Sequence, residues 1–249
     1  MDVSRFVLSD VHGHLGDLRS VLRSADLLGP GDRWTGGAAE LWVLGDLLDR
    51  GPDGVGVIDL LRDLQGQAPG QVNVLLGNHE VLALGAHAWP RGRFHGSWTV
   101  NGGRAVDQQH LDDDRLTWLR SLPAMARVGD FLLVHSDTDG YGRWGRSIEE
   151  VNVSVAKALS SGAEQQVWDL WAGLCRRYEF ARRDGARRAR RMLATYGGEC
   201  LVHGHTVVGS LLDIPSAEVT DPLLYAGDRV LAVDGGRYDG GPLLLVRLG

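Results

Sequence analysis

Cysteine, lysine and long apolar runs are scarce in this sequence. The two cysteines, Cys175 and Cys200, are far from a CxxC spacing, so neither a disulfide framework nor a zinc knuckle is expected. Lys157 is the only lysine, and we interpret the many arginines as coding bias rather than as a sign of anion binding. No apolar run approaches the ~18 residues of a membrane span, and the first residues lack an apolar secretion signal. We therefore expect a soluble, cytoplasmic protein.

A strong charge imbalance is missing as well. The formal net charge of the 249 residues is -6 at pH 7, which makes nucleic acid an unlikely partner. The arginine-rich run RRYEFARRDGARRARRM, at residues 176–192, is interpreted as a solvated helix face because aromatic residues are sparse in it. With 43% hydrophobic residues the chain can bury a large core, and we expect one domain over residues 1–249.

Short apolar runs that end in polar residues recur along the chain. They are RFVLSDVHGH, ELWVLGDLLDRG, VNVLLGNHE, DFLLVHSD, CLVHGHT and RVLAVDGG. Runs of this length, rich in Val and Leu and closed by Gly or Asp, predict buried strands. Helical patterns occur at residues 17–28, 52–64 and 112–122. Because strands alternate with helices, the sequence predicts an α/β fold with parallel strand pairs.

Two stretches lack the strand pattern. Residues 89–111 are rich in Gly, aromatic and polar residues and are expected to be a loop insertion. Residues 137–198 are expected to form a mainly helical, cap-like segment. The runs at 229–234 and 242–248 are joined through glycines, which predicts that they pair as an antiparallel hairpin.

Polar side chains follow most of the predicted strands. They are Asp10, His12, Asp46, Asp49, Arg50, Asn78, His79, His135, His203 and His205. The connections at the carboxyl ends of parallel strands form the ligand crevice of such sheets. A single aspartate there is usually a turn or helix-capping residue. Clusters of carboxylate, imidazole and amide groups after five strands instead favour a site for divalent cations such as Mn, Fe or Zn.

Five clusters, DVHGH, GDLLDRG, GNHE, VHSD and HGHT, stand in the order typical of the calcineurin-like metallophosphoesterases, and the sequence resembles that family. The Asp-Arg-Gly of the second cluster and the Glu of the third resemble its phosphoprotein phosphatase branch, including bacterial members. The resemblance is dense over residues 6–80, resumes at 131–136 and 201–206, and does not cover 137–198. It implies an α/β fold of two packed mixed β-sheets flanked by helices, with a helical insertion.

The resemblance implies two bound divalent metal ions, with manganese expected and iron or zinc as alternatives. The implied metal ligands are Asp10 and His12 for the first ion, Asp46 as the bridge, and Asn78, His135 and His205 for the second. His205 is preferred to His203 because the family's ligand directly follows the glycine. His203 is then expected to support the ligands or to end a strand. Val207 stands where many family members have a further histidine, which fits the phosphoprotein phosphatase branch.

The resemblance also implies catalytic roles for residues beside the ligands. His79 resembles the general acid, Asp49 resembles the carboxylate that orients it, and Arg50 resembles the clamp on the substrate phosphate. We expect Asp49 to raise the pKa of His79, since a neighbouring negative charge favours the protonated imidazole. Asn78 is expected to contact substrate as well as metal.

A second clamping arginine is expected later in the chain. Arg176 and Arg177 of WAGLCRRYEF are the candidates, with Arg143 and Arg146 of GYGRWGR as alternatives. The stretch SWTVNGGR, residues 97–104, resembles a Trp and Asn-Gly-Gly pattern of bacterial relatives and otherwise predicts a tight turn.

Other residues near the clusters have simpler expected roles. Glu80 is expected in the first turn of the helix after GNHE, where its charge suits the helix dipole and its side chain bonds nearby loop groups. Arg237 or Tyr238 would lie at the rim of the site. The histidines expected to be structural or exposed are His14, His87, His95 and His110.

The implied activity is hydrolysis of a phosphomonoester by direct attack of a metal-bridging hydroxide, without a covalent phosphoenzyme. The expected substrate is a phosphorylated protein, as for a Ser/Thr-type phosphatase. The alternatives are a small-molecule phosphatase acting on nucleotides or secondary metabolites, and a dinucleoside polyphosphate hydrolase. A catalytically silent binding module is the alternative from another class of protein. It is disfavoured because a scaffold needs no acid, orienting carboxylate or clamp.

Overall fold

The computed structural model describes residues 3–249, where short strands alternate with helices. The strands are β1 (Arg5–Leu8), β2 (Leu28–Gly29), β3 (Arg33–Trp34), β4 (Glu40–Val43), β5 (Val72–Val74), β6 (Met125–Val128), β7 (Phe131–Val134), β8 (Cys200–His203), β9 (Leu223–Tyr225), β10 (Val230–Ala232) and β11 (Val246–Leu248). The helices are α1 (Leu15–Ser24), α2 (Gly54–Gln67), α3 (Asn78–Ala88), α4 (Arg93–Val100), α5 (Ala105–His110), α6 (Asp113–Ser121), α7 (Ile148–Ser160), α8 (Glu164–Leu174), α9 (Gly185–Tyr196) and α10 (Val208–Leu212).

The strands form two mixed sheets and a small hairpin. Sheet one has the order β11-β1-β4-β5, in which β1, β4 and β5 are parallel and β11 is antiparallel to β1. Sheet two has the order β6-β7-β8-β10-β9, in which β7, β8 and β10 are parallel and the edge strands β6 and β9 are antiparallel to their neighbours. Strands β2 and β3 form the hairpin.

The two sheets pack against each other through apolar side chains. Val7 and Leu248 of sheet one share a buried cluster with Leu133 and Val202 of sheet two. Helix α2 packs beside β5, whereas α7 and α9 pack beside β6 and β8. The prediction of two packed mixed sheets flanked by helices is therefore confirmed.

Local signals set the ends of the helices. Asp53 caps α2, because its carboxylate accepts a hydrogen bond from the Gly56 N–H at 2.8 Å. Asp112 caps α6 in the same way, accepting from the Arg115 N–H at 2.9 Å, and Pro123 follows the end of that helix. The helices predicted at residues 17–28, 52–64 and 112–122 are thus confirmed as α1, α2 and α6, with shifted ends.

Residues 89–111 are not the predicted loop, because they contain the helices α4 and α5. Phe94 and Trp98, one helical turn apart, are both buried in α4. Phe94 packs against Trp168 of α8 with 5.1 Å between the ring centroids. This tertiary contact stabilises a helix that the local Gly and polar content disfavours. Residues 137–198 are mainly helical, as predicted, and contain α7, α8 and α9.

The predicted hairpin between residues 229–234 and 242–248 was wrong. Strand β10 lies inside sheet two between β8 and β9, whereas β11 pairs with β1 in sheet one. The segment between β10 and β11 crosses from one sheet to the other, so that Leu248 is buried between the sheets. None of the helices in residues 3–249 is both long and apolar enough to cross a bilayer.

Candidate metal centre and active site

The carboxyl ends of the parallel strands bring the predicted clusters together. Asp10 follows β1, and Asp46 follows β4 in the same sheet. Asn78 follows β5 and begins α3. His135 and His205 follow β7 and β8 of sheet two. Because these strands run parallel within each sheet, their ends converge at one edge of the two sheets, where the site lies.

Six site residues have left-handed backbone conformations. They are Asp10, His12, Asp46, Asp49, Arg50 and His205. Their φ angles range from 44° to 68°, which costs a non-glycine residue about 1–2 kcal/mol. Backbone hydrogen bonds hold this conformation, such as those from the Asp10 N–H to the Gly45 carbonyl at 3.1 Å and from the His12 N–H to the Asp46 carbonyl at 2.9 Å. Such a concentration of strain is typical of functional sites.

His12, Asp46 and His79 form a first group whose ligating atoms lie within 4.8 Å of one another. His12 Nδ1 donates to the Leu48 carbonyl at 2.9 Å, so its Nε2 carries a lone pair. That Nε2 lies 3.7 Å from an Asp46 carboxylate oxygen and 3.9 Å from an Asp10 carboxylate oxygen. A cation bound between these facing acceptors would offset their mutual repulsion.

Asp46, His135 and His205 form a second group within the same limit of 4.8 Å. His135 Nδ1 donates to the Leu44 carbonyl at 2.8 Å, which leaves a lone pair on Nε2. This Nε2 lies 2.9 Å from Asn78 Oδ1 and 3.4 Å from Asp46 Oδ1. In both groups a backbone carbonyl holds the imidazole by its other nitrogen, the usual arrangement for metal-binding histidines.

The donor set fits two divalent cations that share Asp46. Burial and the charges of Asp10 and Glu80 raise the pKa of Asp46 well above its ordinary value. Burial lowers the pKa of His12 and His205 well below the ordinary value, so both are neutral, as metal binding requires. A cation between these carboxylates and lone pairs would offset the cost of burying them.

Glu80 joins the loops that carry these ligands. Its Oε2 accepts hydrogen bonds from the N–H groups of Asp46 at 2.8 Å and Gly77 at 2.9 Å, and its Oε1 accepts one from the Leu47 N–H at 2.8 Å. The side chain is fully buried, and burial raises the pKa of Glu80 to about 7. The predicted place of Glu80, in the first turn of a helix with bonds to nearby loops, is confirmed.

His79, a member of the first group, is contacted by Asp49 and Arg50. His79 Nδ1 is 2.7 Å from Asp49 Oδ2, and His79 Nε2 is 3.2 Å from Arg50 Nη2. The guanidinium of Arg50 stacks on the ring of Tyr238, 3.8 Å from the ring centroid. One nitrogen of His79 is thus oriented by a carboxylate, while the other faces the cationic end of Arg50.

The expected rise in the pKa of His79 is not found. Burial lowers the pKa of His79 well below its ordinary value, and the Arg50 guanidinium lowers it further. Burial also raises the pKa of Asp49 to about 7, so its negative charge is itself destabilised. The sequence-based expectation was wrong in sign because it considered the neighbouring carboxylate and not the loss of solvent around the imidazole.

Of the four candidate clamping arginines, only Arg177 lines the cavity at the site. Its Nη2 lies 3.0 Å from His205 Nε2. Arg176 is drawn away because its guanidinium pairs with the buried carboxylate of Glu179, so the structure does not bring it to the site as expected. Arg143 and Arg146 also lie outside the lining of this cavity.

The cavity at the site has a volume of about 240 Å³. It is lined by Asp10, Asp46, Arg50, Asn78, His79, Asn101, Trp171, Cys175, Arg177, His205 and Tyr238. Trp171 and Cys175, at the end of α8, were missed from the sequence, because no local pattern indicates that α8 ends over the metal ligands. A larger cavity of about 630 Å³, between Trp42 and Trp118, holds none of the predicted site residues.

The remaining histidines lie outside both ligand groups. His203 is buried, and its Nε2 lies 2.8 Å from the Tyr225 hydroxyl, so it supports the end of β8 as expected. His87, His95 and His110 are exposed, as predicted.

Comparison with known proteins matches residues 5–209 to the calcineurin-like phosphoesterase family. A symmetrical bis(5'-nucleosyl)-tetraphosphatase of Hamiltonella defensa is 29% identical over 142 residues, which cover 57% of this chain and 46% of that protein. Shewanella-like protein phosphatase 2 of Arabidopsis thaliana is 35% identical over 80 residues, which cover 31% of this chain and 20% of that protein. The chain spans about half the length of the tetraphosphatases that it matches.

Solved structures share the fold at low sequence identity. A cold-active protein-tyrosine phosphatase of a psychrophilic Shewanella species matches with a TM-score of 0.75 and 22% identity, over 100% of this chain and 76% of that one. A protein serine/threonine phosphatase of Saccharomyces cerevisiae matches with a TM-score of 0.56 and 15% identity, over 94% and 67% of the two chains. With the family match over residues 5–209 and the two ligand groups at the strand ends, the chain belongs to the calcineurin-like phosphoesterase family.

Proposed function

We propose that this chain is a binuclear metal-dependent phosphatase that hydrolyses phosphomonoesters. The observation that carries the proposal is Asp46, which belongs to both ligand groups. Arg50, His79 and Arg177 line the same cavity as Asp46. One small cavity therefore combines a shared metal-binding carboxylate, an imidazole and two guanidinium groups.

Calcineurin-like phosphoesterases bind two divalent metal ions, and the residues of this chain fit such a pair. The residues that would hold them are His12 and Asp46 of the first group together with Asp10, and Asp46, His135 and His205 of the second group together with Asn78. His79 of the first group is assigned to proton transfer and not to a metal ion. Bound there, the cations would act as Lewis acids on the phosphate oxygens and lower the pKa of a bound water. We expect manganese, with iron or zinc as alternatives, because the ligand set mixes carboxylate, amide and imidazole groups.

The two arginines would bind and orient the substrate phosphate. A planar guanidinium group donates two parallel hydrogen bonds to phosphate oxygens. These bonds fix the orientation of the ester and neutralise its negative charge. Arg50 is preorganised by its stacking on Tyr238. Arg177 lines the same cavity, where its guanidinium lies beside His205.

His79 would donate a proton from Nε2 to the leaving oxygen, while Asp49 holds Nδ1. In the free protein Nε2 faces Arg50, whose charge helps to keep the imidazole neutral. A bound phosphate would neutralise the positive charge of Arg50 and would add negative charge near His79. Both changes favour the protonated imidazole that a general acid requires.

The proposed substrate class is a phosphorylated protein, of the Ser/Thr type. A small phosphoester such as a nucleotide or a secondary metabolite, and a dinucleoside polyphosphate, are the alternatives. The relatives by name include both protein phosphatases and tetraphosphatases. Parallel measurements of kcat/KM on phosphopeptides, mononucleotides and dinucleoside tetraphosphates would separate the three classes, and the class with the highest value identifies the substrate.

Metal dependence and two substitutions test the mechanism. Turnover of a phosphomonoester should require added Mn²⁺ after chelation and should fall by at least about 100-fold in Asp46→Asn and His79→Asn. Matched controls are Asp63→Asn on α2 and His87→Asn, exposed on the same helix as His79. Undiminished turnover in both site variants would contradict the mechanism. No turnover of any ester by the metal-loaded wild type would favour a binding module instead.

A further inference from the structure

The Trp–Asn–Gly–Gly turn, residues 98–103, has no role in the proposed mechanism so far. Trp98 lies in the last turn of α4, and Asn101, Gly102 and Gly103 follow that helix and lie against the residues after β4. Trp98 Nε1 donates a hydrogen bond to Asp49 Oδ1 at 2.8 Å. The other oxygen of the same carboxylate, Oδ2, is the one that lies 2.7 Å from His79 Nδ1. Trp98, Asp49 and His79 therefore form one buried chain of hydrogen bonds.

The rest of the turn holds Arg50. The Gly102 carbonyl accepts a hydrogen bond from the Arg50 backbone N–H at 2.8 Å. The Asn101 carbonyl lies 3.5 Å from Arg50 Nε. Both contacts are made by backbone atoms, so the shape of the turn matters more than the side chain of Asn101. Arg50 itself has a φ of 66°, so these bonds support a strained residue.

The same contacts explain why residues 102 and 103 of the turn are glycines. Gly102 has a φ of 90°, and a Cβ there would lie 2.8 Å from Arg50 Cγ. A Cβ on Gly103 would overlap the indole ring of Trp98. The Gly103 N–H also donates to the Trp98 carbonyl at 2.8 Å, which closes the turn beneath the ring. The two glycines of the pattern thus leave room for Trp98 and Arg50.

We infer that Trp98 is a positioning residue for the proposed general acid, acting through Asp49. The Asp49 carboxylate can rotate about its Cβ–Cγ bond. This rotation changes the direction of its hydrogen bond to His79 and therefore the orientation of the imidazole. A second, rigid donor on the other oxygen fixes the plane of the Asp49 carboxylate and hence the direction of His79 Nε2. The indole suits this task because its N–H is a donor only and its ring is immobilised by burial.

This inference rests on the proposed function, and the choice of leaving group tests it separately. An alkyl phosphate needs a proton on its leaving oxygen, whereas the nitrophenolate of p-nitrophenyl phosphate leaves without one. Trp98→Phe keeps an aromatic ring and removes the N–H. We expect it to lower kcat about 10-fold on β-glycerophosphate, to change kcat less than about 2-fold on p-nitrophenyl phosphate, and to leave KM unchanged. Trp118→Phe, which loses an indole hydrogen bond of the same length, to Gln65 at 2.8 Å, is the matched control.

A double substitution tests whether Trp98 acts on kcat through Asp49. In an Asp49→Asn background Trp98→Phe should have little further effect on kcat, since the positioned carboxylate is already gone. Equal losses on both esters, a loss confined to KM, or full additivity with Asp49→Asn would overturn the inference and leave the proposed function standing. A metal-loaded wild type inactive on both esters would overturn the proposed function and this inference with it.

A second readout does not depend on the folding of Trp98→Phe. The indole N–H of Trp98 gives its own resonance in a ¹⁵N NMR spectrum. Asp49→Asn removes the negative charge from its acceptor, so the resonance should move upfield. An unchanged resonance would contradict the hydrogen bond on which the inference rests.

Discussion

Arg177 illustrates how much depends on the direction of a single side chain. It neighbours Arg176, yet Arg177 lines the metal-site cavity while Arg176 is paired with Glu179. The two residues have the same chemistry and nearly the same place in the chain. Among residues 3–249 Arg176 forms an ion pair and Arg177 forms none, so we expect Arg177 to be the one that binds a phosphate.

These neighbouring arginines give a matched pair of variants. Arg177→Ala should lower kcat/KM for a phosphomonoester by about 10–100-fold, because a charge-assisted hydrogen bond to phosphate is lost. Arg176→Ala should change it by less than about 3-fold, since its guanidinium bonds to protein. Steady-state kinetics of the two variants measures both changes in kcat/KM. The reverse ranking would show that Arg176, and not Arg177, completes the clamp.

At the scale of elements, Glu80 connects the β4–α2 loop to the start of α3. One buried carboxylate accepts the backbone N–H groups of Asp46, Leu47 and Gly77. These N–H groups have no other acceptor among the hydrogen bonds of residues 3–249. The geometry of the shared ligand Asp46 therefore depends on a residue that binds no metal in our proposal.

Glu80→Gln should lower the free energy of unfolding by about 1–3 kcal/mol, because the amide NH₂ cannot accept and leaves at least one buried N–H without a partner. Urea denaturation monitored by circular dichroism measures this change. Glu149→Gln provides the control, since Glu149 is an exposed residue in the first turn of α7. Equal stability of the two variants would show that the loops do not rely on the Glu80 carboxylate.

At the scale of the molecule, the two sheets meet at a buried cluster of like charges and lone pairs. Asp10 and Asp46 are each no more than 2% exposed. Metal ions that bind the folded chain stabilise it by mass action. Saturating Mn²⁺ should therefore raise the melting temperature by several degrees, roughly 2–4 °C for each kcal/mol gained.

Differential scanning calorimetry with and without a chelator measures this shift. Asp46→Asn should lose most of it, because Asp46 is shared by both ligand groups. Asp63→Asn, an exposed aspartate on α2, should keep it. A shift of the same size in both variants would place the stabilising metal elsewhere.

Local patterns predicted an α/β fold with polar clusters at the strand ends, whereas the two packed sheets and the role of each site residue were implied by the family resemblance. Asp10, Asp46 and His135 could be found this way since the parallel strands deliver their ends to one place. Trp171 and Cys175 could not, because they reach the cavity only through the packing of α8. The lowered pKa of His79 could not be predicted either, because it results from burial in the folded chain, which the neighbouring residues in the sequence do not indicate.

The errors in the predicted fold also arose from contacts between residues that are distant along the chain. Helix α4 forms despite its glycine and polar content because Phe94 packs against Trp168. The partner of β11 is β1, more than 200 residues away, and not the strand that precedes it. Proximity in sequence favoured the wrong pairing.

The pairing of β11 with β1 also has a consequence for biosynthesis. Strand β1 pairs with β4 on one edge and with β11 on the other, so this second edge has no partner in a chain that lacks residues 246–248. An open edge of this kind can pair with a strand of another chain. We therefore expect unfinished chains that stop before Val246 to aggregate more readily than chains that include β11, even though they already contain every proposed metal ligand.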